Sequence, residues 1–463
     1  MSSMETVSGQ ESFGRIGNLD IDILSINNRR FCMTSVLRPP ILNTLRIWSE
    51  NQGWRARVIT VSEEQALSQV RADVVALSVY TPSAPASYRV ADKLREQGKV
   101  VIMGGPHFRG GMSVEAMGRC DVVAESISEE TWARLLDDVA TGRIKPGGAA
   151  HSILDLEENF RYPEDYRRHI NDKKWYQVAT IPTSLGCPYG CEFCDPLMKG
   201  KYVDRGIDVI IDDLAEMKGG VALFCDATFG LNKKYTMELM EAAAPLKKNI
   251  LVETSLARVM DRQLVAAMAK GGVKAMEVGI ETLSEGLNKH GAKNSRQQMM
   301  DTIAMVHDHG ILIQGNFILG LDCDGPDCFD QAYEFYIKSR LDFIYANLLT
   351  PFPATRLYRR LKNENRIIDY NWENYDFATV VHSPKKLTPD HLHYGYHQFC
   401  ASVYGPRAIA GKVMRAGLDF GPGMQTAMMT LYHLYYHRVV GKMIATAPDR
   451  KPAIPSLEPS LSS

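Results

Sequence analysis

The sequence predicts an α/β protein: a doubly wound, Rossmann-like sheet, then a partial (β/α)6 barrel, then a helical C-terminal extension. Three observations carry the prediction. Five apolar, strand-like runs alternate with helical runs between residues 16 and 145. A second alternation, of six units, fills residues 173–365. The chain of 463 residues exceeds what one ordinary core can organise, so two or three domains are expected.

Residues 1–15 are polar, rich in Ser and Gly, and expected to be disordered. In the first domain, 16–145, strands are expected at Leu19–Ile26, Trp54–Val61, Asp73–Val79, Val100–Met103 and Val122–Glu125. Helices are expected at Pro40–Asn51, Glu63–Val70, Ser87–Gln97, Ser113–Met117 and Glu129–Thr141. Ligands of such a sheet sit beyond the carboxyl ends of its strands. There the sequence carries Tyr80-Thr81-Pro82-Ser83-Ala84-Pro85 and Gly104-Gly105-Pro106-His107, and glycines let backbone approach a large planar ligand closely. Residues 146–172, opening on Pro146-Gly147-Gly148, read as a linker.

In the second domain, 173–365, strands are expected at Trp175–Ser184, Val221–Cys225, Ile250–Thr254, Ala275–Ile280, Ile311–Phe317 and Ile344–Leu349. Amphipathic helices such as Tyr235–Ala244, Asp261–Lys270 and Gln297–His309 lie between them. Parallel strands with crossover helices close toward a barrel, and barrel chemistry gathers at the carboxyl ends. Residues 366–448 are read as a helical region, with helices from Pro389 to about Ile444, and the Pro/Ser-rich 449–463 as a disordered tail.

Lys plus Arg number 53 against 54 Asp plus Glu, a net charge of −1 that offers phosphate backbones no global attraction. Nucleic acid is therefore not an expected partner. Nine cysteines, no signal-peptide pattern and no apolar run of membrane-spanning length point to a reducing cytoplasm, where thiolates stay available to metal.

The richest stretch is Thr183-Ser184-Leu185-Gly186-Cys187-Pro188-Tyr189-Gly190-Cys191-Glu192-Phe193-Cys194. Gly186, Pro188 and Gly190 make a bent, exposed loop, in which buried structural cysteines would be out of place. Three thiols spaced C-x3-C-x2-C can meet three irons of a cubane cluster and leave the fourth iron open. Zinc is the weaker reading, because no fourth Cys or His follows at finger spacing. Cys323 and Cys328, in Leu321–Cys328, could also bind metal, but the segment reads rather as a polar turn.

The loop, with Phe193 as the aromatic of C-x3-C-x-aromatic-C, resembles that of the radical S-adenosylmethionine (SAM) enzymes. The flanking Gly-Cys-Pro-Tyr-Gly-Cys resembles their cobalamin-dependent, methyltransferase-like branch, and the resemblance covers most of the chain. It implies a [4Fe-4S] cluster on Cys187, Cys191 and Cys194, with SAM chelating the open iron and one electron cleaving it to a 5′-deoxyadenosyl radical. It also implies an electron donor such as flavodoxin or ferredoxin. It makes the N-terminal sheet a cobalamin-binding domain, with Ser78, Thr81, Gly104, Gly105 and His107 as the nearest candidates. The Asp-x-His-x-x-Gly signature of methionine-synthase-like cobalamin domains is absent, so His107 is expected to hydrogen-bond and not to ligate cobalt. Ala124-Glu125-Ser126-Ile127-Ser128 replaces the Gly-Glu-Gly turn usual there, so that Ser126 or Ser128 would crowd the cofactor's nucleotide tail.

Polar residues mark the strand ends of the second domain. Asp226 follows the second strand; Glu253 and Arg258 are at the third, Glu281 ends the fourth, Gln314 and Asn316 lie on the fifth and Asn347 on the sixth. In an apolar barrel such groups need ligands, protein partners or water. Gly279-Ile280-Glu281 resembles the family's fourth-strand SAM contact. The resemblance thus implies a SAM site of Phe193, Glu253, Arg258, Glu281, Gln314, Asn316 and Asn347, Arg258 meeting a carboxylate.

The expected activity is a radical functionalisation of an unactivated carbon, foremost C-methylation, because an aliphatic C–H has no acidity that positioned bases could use. Cyclisation, oxidation or rearrangement without methyl transfer is the rival within the family. A non-catalytic iron–sulfur and cobalamin sensor of redox state or ligand is the reading from another class. Tyr370, Trp372, Tyr375 and Phe377 read as packing core, or else as a cover for an apolar or cyclic small-molecule substrate. Met428–Lys442 reads as a domain-covering helix, with peripheral membrane contact as the alternative.

Overall fold

The computed structural model describes residues 19–27, 39–109, 111–148, 150–155, 159–170, 178–195, 199–284, 295–420 and 423–446. The tails 1–15 and 449–463 lie outside the described residues. The chain divides into two units, Met1–Ser35 with Pro39–Tyr166 and Val36–Arg38 with Arg167–Ser463.

In the first unit the order is β1 (Asp20–Asn27), α1 (Pro40–Asn51), β2 (Arg55–Ser62), α2 (Glu63–Gln69), β3 (Val74–Ser78), α3 (Ala84–Glu96), β4 (Val100–Gly104), α4 (Ser113–Ala116), β5 (Val122–Ser126), α5 (Glu129–Ala140) and β6 (His151–Leu154). The sheet is parallel, ordered β2-β1-β3-β4-β5-β6. All five expected strands are present, and β6 corrects the linker reading of 146–172. It is an edge strand with His151, Ser152 and Leu154 exposed, so no apolar period marks it.

Leu24, Val75, Leu77, Val101, Met103 and Val123 build the core on one face of the sheet. On the other face Trp48 and Trp132 are buried, and Trp132 Nε1 donates to Ser49 Oγ at 3.0 Å. Near the amino ends of the strands, Asp22 accepts two hydrogen bonds from Arg57, at 2.8 and 2.7 Å, and the main-chain N–H groups of Arg71 and Ala72 at 2.7 and 3.0 Å. Desolvation pushes this carboxyl up, but the bonds from Arg57, Ala72 and Arg71 outweigh it and hold it below its ordinary value. The altered turn after β5 has a local use. Ser128 Oγ caps α5 by accepting Thr131 N–H at 3.3 Å, and Ser126 and Ser128 both donate to Asp155 beyond β6.

The second unit runs β7 (Ala179–Ile181), β8 (Ser184–Gly186), β9 (Tyr202–Asp204), α6 (Ile207–Glu216), β10 (Val221–Phe224), α7 (Lys233–Ala243), β11 (Asn249–Ser255), α8 (Leu256–Val259), α9 (Arg262–Lys270), β12 (Val273–Glu281), α10 (Arg296–Asp308), β13 (Leu312–Leu319), α11 (Cys328–Lys338), β14 (Phe343–Leu348), α12 (Arg356–Asn363), α13 (Pro389–Val403), α14 (Pro406–Phe420) and α15 (Met424–Thr446). Its main sheet is parallel and open, ordered β14-β13-β12-β11-β10-β7. The strand expected at Trp175–Ser184 is broken. Its sheet-paired part is Ala179–Ile181, and after Pro182, which has no N–H for the ladder, Ser184–Gly186 pairs antiparallel with β9. Residues 171–177 lie outside the described residues.

Ile250, Val252, Met276, Val278, Ile313 and Ile344 pack with the helices in one core. By the two-residue period of a strand, Glu253, Glu277, Gln314 and Tyr345 point to the opposite, inner face. The open edge at β14 is covered by side chains. Tyr396 hydroxyl donates to the Ala346 carbonyl at 3.0 Å, Tyr404 and Tyr432 to that of Ile344, His433 Nε2 pairs with that of Asp342 at 3.2 Å, and Lys412 reaches that of Leu341. Burial lowers His433 to about 4, so the neutral ring serves as donor. This is the edge protection that an open sheet requires. It employs Tyr432 and His433 of the helix read as domain-covering, while Leu431, Leu434 and Tyr435 of the same helix are exposed. Trp372 and Tyr375 are buried against each other, ring centroids 4.8 Å apart, as packing core. Among the described residues no helix is long and apolar enough to cross a membrane.

Candidate functional site

The cysteine loop is shaped by its main chain. Gly186 sits at φ 86°, the left-handed region that favours glycine. Gly200 N–H donates to the Cys187 carbonyl at 2.8 Å, Lys199 Nζ to that of Cys194 at 2.9 Å, and Leu357 N–H to that of Glu192 at 3.0 Å. Arg360 grips the Glu192 carboxylate at 2.6 and 3.0 Å. At the loop's entry the buried Asp226 accepts the N–H groups of Thr183 and Ser184 at 2.8 and 2.9 Å, together with the Thr183 hydroxyl. Burial still leaves the Asp226 carboxyl above its ordinary value. This strand-end acid has protein partners, and its work is positioning.

Cys187 is buried, Cys191 half-buried and Cys194 exposed, so the thiols run from interior to rim, with Phe193 half-buried among them. The Cys194 thiol is pushed up to about 11, first by desolvation and then by the Cys191 and Cys187 sulfurs. Among the described residues no three His, Cys, Asp or Glu side chains converge as a single metal ion would need. A cubane takes one thiolate at each of separate irons, so crowded but non-convergent sulfurs fit a [4Fe-4S] group with one iron left open. Leu321–Cys328 is a turn built on Asp324, which accepts the N–H groups of Gly320 and Leu321, each at 3.0 Å.

Inside the open barrel, two rows of inner-facing residues cross the sheet in register. Glu253, Glu277, Gln314 and Phe343 form one; Ser255, Gly279, Asn316 and Tyr345 form the next. Gln314 Nε2 donates to Asn316 Oδ1 at 2.8 Å, and Asn316 in turn bonds the Glu277 carboxylate. Glu253 is pushed up to about 8, first by desolvation and then by the charges of Glu277 and Asp226; burial likewise raises Glu277. Both side chains are partly accessible yet ringed by protein, as groups lining a cavity are.

Of the expected SAM set, the structure therefore brings Glu253, Gln314 and Asn316 together. Asn347 lies on the neighbouring β14, its Oδ1 buried without a protein partner, and Arg258 in α8 has its Nε in the same condition. Such orphaned polar atoms fit a polar ligand like SAM. Glu281 is buried, 8% exposed, and takes φ 71° just past a register shift that begins at Gly279. A non-glycine residue held left-handed costs about 1–3 kcal/mol and marks functional sites. Glu277 and Ser255 were missed from the sequence. The signal was there: Ala275, Glu277, Gly279 and Glu281 share one parity of β12.

In the first unit, strand order reverses between β1 and β3, the switch point where ligands of such sheets bind. There Ser25, Ser78, Gly104 and Ala124 pair in register, a row of small side chains on one face at the carboxyl ends. The hydroxyls of Ser25 and Ser78 are buried without a partner. These orphaned hydroxyls, in a row free of bulk, fit a large ligand such as cobalamin; Ser25 had no motif to reveal it. Thr81 and His107 are together, Oγ1 to Nδ1 3.3 Å, and His107 Nε2 lies 3.1 Å from the Tyr88 hydroxyl. Fully buried with both ring nitrogens engaged, His107 is a hydrogen-bonding residue. Gly105 has an internal reason, since a Cβ would lie 2.7 Å from the Val79 main chain and φ is 115°.

The model of the radical SAM superfamily matches residues 181–336. The chain is 30% identical over 361 residues to the bacteriochlorophyllide d C-12(1)-methyltransferase of Chlorobaculum tepidum, covering 75% of this chain and 78% of that one. It is 23% identical over 368 residues to the anaerobic magnesium-protoporphyrin IX monomethyl ester cyclase of Cereibacter sphaeroides, covering 71% and 59%. Among solved structures, the radical SAM methyltransferase TsrM of Kitasatospora setae, with cobalamin and a [4Fe-4S] cluster bound, superposes with a TM-score of 0.62 over 93% of this chain and 100% of that one. At 12% identity that likeness is one of fold.

Proposed function

The chain belongs to the radical SAM family, in its methyltransferase-like branch, and from that premise we propose that it methylates an unactivated carbon of a small cyclic or apolar biosynthetic intermediate with the help of cobalamin. The observation that carries the reading is the presence in one chain of two features: a rigidly held three-cysteine loop, and the Ser25–Ser78–Gly104–Ala124 row with its orphaned hydroxyls. Cys187, Cys191 and Cys194 would hold the cluster, and the main-chain bonds of the loop fix their spacing before it is loaded. With cluster, SAM and cobalamin bound, an electron from a flavodoxin- or ferredoxin-like donor supplies radical chemistry and the corrinoid a transferable methyl group.

The chain's own work is positioning and exclusion of water. Arg258 is suited to meet the methionine carboxylate, Glu281 to accept hydrogen bonds from the ribose or amino group, and Asn347 to fill its unused acceptor. The likeness to a cyclase supports ring closure without methyl transfer as a second reading. A reducing cytoplasm is the compartment in which three thiolates stay available to iron. An anaerobic absorption spectrum of the purified protein tests the cofactor set, separating cluster alone, cobalamin alone and both. Product analysis with methyl-labelled SAM then decides between the readings: label in the product is expected, and an unlabelled ring-closed product would overturn methylation.

A further inference from the structure

Glu253 and Glu277 face each other on adjacent strands, and among the described residues no lysine or arginine forms an ion pair with either; the charges that act on Glu253 are those of Glu277 and Asp226. Like charges directly opposite in a sheet are destabilising, so the pair is a poor choice for stability alone. A second observation points to a missing ligand. Ser255, one pleat beyond Glu253 on the same inner face, is 8% exposed, and its hydroxyl has no partner. The third wall is aromatic: Tyr345 stands in the next inner row, its ring 5.8 Å from that of Tyr436, which lies 4.4 Å from that of Tyr432. Two carboxylates, a hydroxyl acceptor and ring faces are together the surroundings that an organic ammonium seeks. A bare divalent cation is less suited, since among the described residues no third His, Cys, Asp or Glu joins the pair. Glu277 precedes the end of β12 by four residues and Glu253 that of β11 by two, and their row falls one residue beyond the Ile181–Phe224 pair that ends β7 and β10.

We infer that the substrate carries an ammonium group, which binds between the carboxylates of Glu253 and Glu277; this rests on the reading of the barrel as the reaction chamber. It narrows the small-molecule class to amines and sets this chain's substrate apart from a purely hydrocarbon one.

The test uses the full chain with its cluster reconstituted and SAM saturating. Phenethylamine and its neutral isostere 2-phenylethanol are titrated calorimetrically. The amine is expected to bind at least about tenfold more tightly than the alcohol, and Glu253→Gln or Glu277→Gln to erase that preference. Above about pH 8, where Glu253 ionises beside Glu277, both variants are also expected to melt higher than the ligand-free wild type, because the repulsion is relieved; a merely structural pair would melt lower. Equal binding of amine and alcohol, or a preference that survives both substitutions, overturns the inference. So does a roughly tenfold loss of SAM affinity in Glu277→Gln, which would assign the pair to the SAM site, or tight binding of Mg2+ that the same variants abolish. SAM cleavage is read on the same samples. A wild type that cleaves SAM without preferring the amine sinks this inference alone, while one that prefers the amine but never cleaves SAM sinks the radical reading alone.

Discussion

The carboxylate of Asp226 receives the main-chain N–H of Ser184 at 2.9 Å, tying the end of one barrel strand to the first residue of the hairpin that presents the cysteines. With Thr183 it makes three bonds from one buried acid, and removing it leaves two buried N–H groups unsatisfied. Asp226→Ala is therefore expected to cost about 2–4 kcal/mol of stability and to lower iron loading after anaerobic reconstitution. Full iron content at wild-type melting temperature would show that the loop holds its shape without this acid.

Cys187, Cys191 and Cys194 are fixed through their backbones, so removing a sulfur should spare the loop. Any single Cys→Ala change is expected to abolish SAM cleavage, and the triple variant to bind no iron while staying soluble with an unchanged circular dichroism spectrum. Iron analysis and an assay for 5′-deoxyadenosine check both. Retained iron and cleavage in the triple variant would remove the basis of the proposed function.

Strand periodicity made the two sheets legible, because parallel strands covered on both faces are apolar runs and Val74–Ser78 or Val100–Met103 could hardly be anything else. The cysteine loop was legible because its spacing is local. What escaped has physical reasons. β6 is an exposed edge with nothing to bury. Pro182 splits a run whose apolarity looks continuous. The tyrosines of α13, α14's flank and α15 act on carbonyls of β14 from 50 to 88 residues away, and no local pattern encodes such a bond. Glu277 follows from the sequence only once the inner parity of β12 is fixed, and tertiary packing fixes it.

Asp22 gives the first unit an acid-sensitive anchor. Since its folded carboxyl lies below the ordinary value, its stabilisation is present above the ordinary carboxylate range and is lost as pH falls through the folded value. Asp22→Asn should cost about 2–3 kcal/mol near neutral pH, and the gap to wild type should close on acidification. Melting curves of both proteins across about pH 3 to 7 check this. A gap that stays constant would mean the charge of Asp22 does not contribute.

The row at the switch point predicts how cobalamin is held. Ser78→Leu puts bulk between Ser25 and Gly104 and is expected to abolish cobalamin retention while cluster loading, which depends on the other unit, persists. Because both nitrogens of His107 are engaged by Thr81 and Tyr88, the cob(II)alamin form should show no nitrogen superhyperfine splitting from a protein imidazole in its electron paramagnetic spectrum. Such splitting would overturn the histidine-off arrangement.

Glu281 separates SAM binding from scaffolding, because its backbone and side chain make opposite demands. At φ 71° the residue is strained, so Glu281→Gly relieves the main chain by roughly 1 kcal/mol while deleting the carboxylate. If the carboxylate serves SAM through charge-assisted hydrogen bonds worth about 1.5–3 kcal/mol, affinity should fall roughly ten- to a hundredfold, with iron content and melting temperature maintained or raised. Arg258→Ala should weaken SAM similarly if its buried Nε awaits the methionine carboxylate. A structural role predicts the reverse pattern for either residue: lower melting temperature and unchanged affinity.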